Sequence, residues 1–111
     1  MEKQKILIAD DSEMNRALLV DILEDQYDIV EADNGAAAID LLTQCGGDFS
    51  LLLLDIMMPE MDGFEVLAYI NRYHLNDTLA VIMISADDSP ANIKRAYDLG
   101  AFDYISRPFD A

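Results

Sequence analysis

Short apolar runs and stretches of helical periodicity take turns along this chain. The runs are Ile6 to Ala9, Tyr27 to Glu31, Leu51 to Leu54, Ala80 to Ile84 and Phe102 to Ile105. Several lack the apolar–polar alternation of a half-exposed strand, which is how parallel strands covered on both faces read. Met14, Leu18 and Ile22, with Leu19 and Leu23, are spaced to line one face of a first helix, and Ala38, Ile39, Leu42 and Cys45 one face of a second. Both faces are expected to dock on a sheet. Asp62 is placed to cap a third helix, with Glu65 reaching back to it and Phe64, Leu67 and Ala68 turned inward. Ser89 and Pro90 read as the cap and first residue of a fourth, its stripe formed by Ile93, Ala96 and Tyr97 and its stop by Gly100.

Five β–α steps without a linker, repeat or low-complexity tract predict an α/β fold, a doubly wound five-stranded parallel sheet. The strand order is taken to be 2-1-3-4-5. Only Asp110 and Ala111 follow Phe109, so a fifth helix is expected to be missing or truncated, leaving apolar surface open beside strands one and five. Residues 1–111 are accordingly read as one domain, an N-terminal fragment of a longer protein.

Composition narrows the picture. A hydrophobic content of 52% in 111 residues suffices for a core. Seven Lys and Arg against 22 Asp and Glu give a net charge of −15, a field that repels nucleic-acid phosphates and anionic membranes, so no direct nucleic-acid or membrane binding is expected. The single Cys45 cannot form an internal disulfide, and the first residues carry no signal-peptide pattern, which points to a cytoplasmic location. The run Leu51 to Leu54 is far shorter than the roughly 20 residues of a membrane-spanning helix.

In an open parallel α/β sheet, ligands bind beyond the carboxyl ends of the strands, where the strand order reverses. Asp10 and Asp11 follow the first run, Asp55 the third, Ser85 the fourth and Arg107 the fifth. With strands one and three adjacent, the three carboxylates converge and repel one another unless a cation offsets their charge. Oxygen ligands favour Mg²⁺, with Mn²⁺ as a substitute, over zinc. A carboxylate beside such an ion can attack phosphorus, and Asp55, alone at the end of the most hydrophobic strand, is the candidate nucleophile. Ser85 and Arg107 are placed to contact phosphoryl oxygens.

The motifs Ile8-Ala9-Asp10-Asp11, Leu54-Asp55-Ile56-Met57-Met58-Pro59, Met61-Asp62-Gly63, Ile84-Ser85-Ala86 and Tyr104-Ile105-Ser106-Arg107-Pro108-Phe109 resemble, in order and spacing, the receiver domains of two-component response regulators, with their flavodoxin-like fold. The resemblance implies that Asp11 and Asp55 bind magnesium directly, Asp10 through water, and Met57 through its backbone carbonyl. It implies that Asp55 accepts a phosphoryl group from a sensor histidine kinase or phosphotransfer protein, that Ser85 and Tyr104 are switch residues, and that a downstream output domain reads the face of the fourth helix and fifth strand, through which a homodimer could also form. It further implies a cis peptide before Pro108. The chain departs from the family at Arg107, where lysine is usual, and in a fifth helix that is expected to be missing or truncated. Arginine keeps the charge but presents a planar fork, so the alternative is a receiver-like interaction module with altered or phosphate-independent switching.

Taken singly, Asp10-Asp11-Ser12 reads as a helix cap, Asp55 as a strand-ending acid, Ser85 as a turn hydroxyl, Tyr104 as a half-buried strand aromatic and Arg107 as a surface charge. Joint placement gives them a chemical reading. His74 is isolated and receives a structural role only. A haloacid-dehalogenase-like phosphatase needs a second Asp two residues after its nucleophile, where Met57 and Ser12 stand here. A P-loop ATPase needs a GxxxxGK[ST] motif, which the chain lacks. The domain is therefore read as a phosphoacceptor that catalyses at most its own phosphorylation and dephosphorylation.

Overall fold

The computed structural model describes residues 4–45, 49–58, 61–75, 79–85 and 89–106. Strands and helices alternate as β1 (Lys5–Ala9), α1 (Glu13–Leu23), β2 (Asp28–Ala32), α2 (Gly35–Cys45), β3 (Phe49–Asp55), α3 (Gly63–Arg72), β4 (Ala80–Ser85), α4 (Pro90–Asp98) and β5 (Asp103–Ser106). The sheet is parallel throughout and ordered β2-β1-β3-β4-β5, the topology assumed from the run pattern. β3 starts at Phe49, before the Leu51 expected, because Phe49 is buried and pairs with Lys5 across the polar Ser50. Arg107 and the Arg107–Pro108 bond lie outside the described residues, as does the side chain of Cys45. No described helix is long and apolar enough to cross a membrane.

Alternate residues of the central strands feed two cores. Leu7, Ala9, Leu52, Leu54, Val81 and Met83 pack with Ala38, Ile39 and Leu42 of α2, with Phe64, Val66, Leu67 and Ile70 of α3, and with Ala96 of α4. Ile6, Ile8, Leu53 and Ile84 face the other way, against Leu19, Val20 and Leu23 of α1. Three helices thus cover one face and, among the described residues, α1 alone covers the other.

This corrects the expected docking face of α1. Leu19 is buried, but Met14 is 80% exposed and Leu18 and Ile22 are each 46% exposed. The helix carries two apolar stripes about a quarter turn apart, and the sheet takes the one through Leu19 and Leu23. Ala68 and Tyr97 are likewise exposed rather than inward; Val66 and Ile70 fill the positions on α3, and Ala96 alone is buried on α4.

Helix ends follow their capping chemistry. The Asp62 carboxylate accepts from the Glu65 amide at 2.9 Å while the Glu65 side chain accepts from the Asp62 amide at 3.5 Å, closing a capping box. The Ser89 hydroxyl accepts from the Asn92 amide ahead of Pro90, and Gly100, at φ 101°, stops α4. At the end of α3 the left-handed position falls on His74, at φ 58°, with the Leu75 amide donating to the Ile70 carbonyl at 2.9 Å. Glycine adopts that conformation without a Cβ penalty, so His74→Gly is expected to stabilise the fold by about 0.5–1 kcal/mol. A denaturation midpoint that stays put or falls would contradict this account of the turn.

Candidate functional site

Strand register assembles the site. Ala9 lies beside Leu54, and Leu54 beside Met83, so the residues that follow, Asp10, Asp55 and Ile84, lie level at the carboxyl end of the sheet, with Ser85 one step beyond as the last residue of β4. β1 and β3 flank the point where the strand order reverses. Asp10, Asp11 and Asp55 each present a carboxylate oxygen within 4.8 Å of the others. Asp10 and Asp55 are buried, at 2% and 4% exposure, while Asp11 is open to solvent, so the cluster is a cleft with two walls and a mouth.

Each wall is fixed through its main chain. The Asp10 amide donates to the Ala32 carbonyl at 3.0 Å, its Oδ1 accepts from the Ser12 amide at 2.8 Å, and its carbonyl accepts from Arg16 Nη1 at 2.6 Å. Arg16 Nε is paired with Glu31 Oε1 of β2 at 3.1 Å. Behind Asp55, the Gly63 amide donates to the Ile56 carbonyl at 2.8 Å, bringing the start of α3 against the strand end. A Cβ at Gly63 would collide with the Asp55 carbonyl oxygen and come within 2.7 Å of the Ile56 Cα. A Cβ at Gly35 would likewise come within 2.5 Å of the Met61 carbonyl oxygen and 2.8 Å of Val66 Cγ2.

Of the other expected residues, Ser85, Met57 and Tyr104 are among those described. Ser85 is buried at the end of β4, level with Ser106 of β5. Met57 is exposed just past Asp55. Tyr104 is half-buried beside Met83 and packs on the core shared with α2, α3 and α4. Arg107 lies outside the described residues. Sequence reasoning passed over Arg16 and Gly35, and took Gly63 only as part of the Met61-Asp62-Gly63 motif, without a role of its own. Arg16 carried a signal, as the sole cation among the acids of α1. The crowding at the two glycines carried none without knowledge of which loops meet.

The donor set is uniformly hard oxygen, which fits magnesium or calcium and disfavours zinc. At 4 to 5 Å and an effective dielectric near 20, each pair of ionised carboxylates repels by about 3–4 kcal/mol. A divalent cation would turn that repulsion into ligation.

Residues 6–111 match the family model of the response regulator receiver domain. The chain is 36% identical to the chemotaxis protein CheY of Halobacterium salinarum over 110 residues, 98% of this chain and 88% of that protein. It is 38% identical over 103 residues, 93% of its own length, to a probable cyclic di-GMP phosphodiesterase of Vibrio cholerae, of which the match covers 23%. It spans about half of two further relatives, at 47% and 49% of their lengths. Among solved structures, the CheX–CheY–BeF3–Mg²⁺ complex of Borrelia burgdorferi superposes with a TM-score of 0.89 at 30% identity, covering 96% of this chain and 79% of that one. Sheet order and kinship agree, and the chain belongs to the response regulator receiver domains, which act as phosphorylation-dependent signalling switches.

Proposed function

We propose that Asp55 accepts the phosphoryl group, with Mg²⁺ held by Asp11 and Asp55 directly, by Asp10 through water and by the Met57 carbonyl. The observation that carries this reading is the convergence of Asp10, Asp11 and Asp55 at the carboxyl ends of the adjacent strands β1 and β3. The ion, when bound, neutralises phosphoryl oxygens and relieves the repulsion among the carboxylates. An Asp55 carboxylate oxygen forms the bond to phosphorus as the bond to the leaving group breaks, and the leaving group departs with the electron pair. Burial of Asp10 and Asp55 keeps competing water away from that side of the cleft. Ser85, at the end of β4, donates its hydroxyl to a phosphoryl oxygen, and Arg107 supplies a bidentate positive group to another. The accompanying movement of Ser85 and Tyr104 alters the α4 and β5 face, which an output domain reads.

The donor is a sensor histidine kinase or phosphotransfer protein. The kinship with chemotaxis and transcriptional response regulators favours this switch over a phosphate-independent interaction module. Acetyl phosphate tests the assignment. With Mg²⁺ the protein is expected to gain one phosphoryl group, mapped by peptide mass spectrometry to Asp55, and with a chelator to gain none; a label on another residue would refute the assignment. Asp11→Asn removes a direct ligand, and its Mg²⁺ affinity is expected to fall by at least about tenfold in a titration. Affinity equal to the unaltered protein would place the metal elsewhere.

A further inference from the structure

We infer that Arg16 is a positioning residue of the metal site: its guanidinium fixes the Asp10 main chain, and removing that fork weakens Mg²⁺ binding even though it removes a nearby positive charge. This rests on the reading of Asp10, Asp11 and Asp55 as a magnesium site. Arg16 lies in the first turn and a half of α1, and helical side chains lean toward the helix N-terminus, so it reaches back over the loop it follows. Its side chain is only 15% exposed and donates from two nitrogens in two directions, Nη1 to the Asp10 carbonyl at 2.6 Å and Nε to Glu31 Oε1 at 3.1 Å. The Asp10 peptide is therefore held from both sides, by Ala32 at its amide and by Arg16 at its carbonyl.

Three carboxylates within 4.8 Å push the Asp10–Ser12 loop outward when no cation offsets them. The Arg16–Glu31 pair opposes that relaxation from β2. A lysine keeps the charge but has no planar fork with which to hold both acceptors.

Charge and positioning predict opposite signs. If Arg16 acted only as a cation, Arg16→Gln would bind Mg²⁺ more tightly and Arg16→Lys would match the unaltered protein. Positioning predicts that both bind about tenfold more weakly, the scale seen when residues supporting metal ligands are lost. Glu31→Gln shifts the affinity in the same direction. Mg²⁺ demands near-ideal octahedral ligands whereas Ca²⁺ tolerates irregular ones, so the ratio of Mg²⁺ to Ca²⁺ affinity falls in the variants. A loss of fold stability would not move that ratio.

The experiment is calorimetric titration of the unaltered protein, Arg16→Lys, Arg16→Gln and Glu31→Gln with each ion, with thermal unfolding of the metal-free proteins alongside. Weaker Mg²⁺ binding with a reduced ratio in Arg16→Lys is the expected result. Unchanged affinity in Arg16→Lys, tighter binding in Arg16→Gln, or equal losses for both ions would overturn the inference. Should Arg16→Gln fail to fold, Arg16→Lys, which keeps the charge, still decides it. Absence of Mg²⁺ binding by the unaltered protein would instead defeat the metal-site reading on which the inference rests.

Discussion

Asp55→Asn is expected to abolish phosphorylation by acetyl phosphate and, in metal-free protein, to raise folding stability by about 1–3 kcal/mol. The first effect follows from removing the nucleophilic oxygen, since an amide does not displace a phosphoryl leaving group. The second follows from the geometry of the cluster. Asp55 is 4% exposed and its carboxylate shares a space of 4.8 Å with those of Asp10 and Asp11, so loss of one charge removes two of the three repulsive pairs. Side-chain rearrangement and solvent screening reduce the raw Coulomb figure to the range given. Magnesium should reverse the order: at a hundredfold excess over its dissociation constant, a ligand adds about 2.7 kcal/mol to the form that binds it. Thermal unfolding of both proteins with chelator and with saturating Mg²⁺ reads both halves. An Asn variant no more stable than the unaltered protein in chelator would show that the three acids do not share a field.

Gly63→Ala is expected to cost about 2–3 kcal/mol of stability and to slow phosphorylation of Asp55 by more than tenfold. The added Cβ would meet backbone on both sides of the peptide that follows Asp55, none of which can turn away as a side chain would. Relief requires α3 to withdraw or the end of β3 to shift, and either breaks the 2.8 Å hydrogen bond from the Gly63 amide to Ile56. Gly35→Ala is the informative control. Its crowding falls on Met61 and Val66, away from Asp55, so it should lower the denaturation midpoint while leaving the phosphorylation rate closer to normal. Equal rate losses in the two variants would mean that general destabilisation, rather than displacement of Asp55, slows the chemistry.

The run pattern sufficed for the element order and the parallel sheet because both depend on periods that a linear sequence displays. Caps at Asp62, Ser89 and Gly100 were equally legible, since capping is local chemistry. The convergence of Asp10, Asp11 and Asp55 needed one global assumption, the strand order, and the structure satisfies it. What the sequence hid is relational. Met14, Leu18 and Ile22 obey the same period as the stripe that docks, and only the placement of α1 over β1 and β2 decides between them. Gly63 and Gly35 are explained by which loops press together, and Arg16 by a partner on β2 fifteen residues away.

The edge position of β5 has a consequence for how motion is distributed through the molecule. β5 is four residues long, has one neighbouring strand, and three of its four residues are exposed, whereas β3 is seven residues long, lies in the sheet interior and ends in four buried positions. The free energy of local opening should therefore fall from β3 toward β5, and amide hydrogens of β5 should exchange with deuterium while those of β1 and β3 remain protected. Tyr104, the proposed switch aromatic, rides on this edge strand. The acids sit at the ends of interior strands expected to open last, so the edge proposed to carry the output can rearrange while the proposed metal ligands keep their spacing.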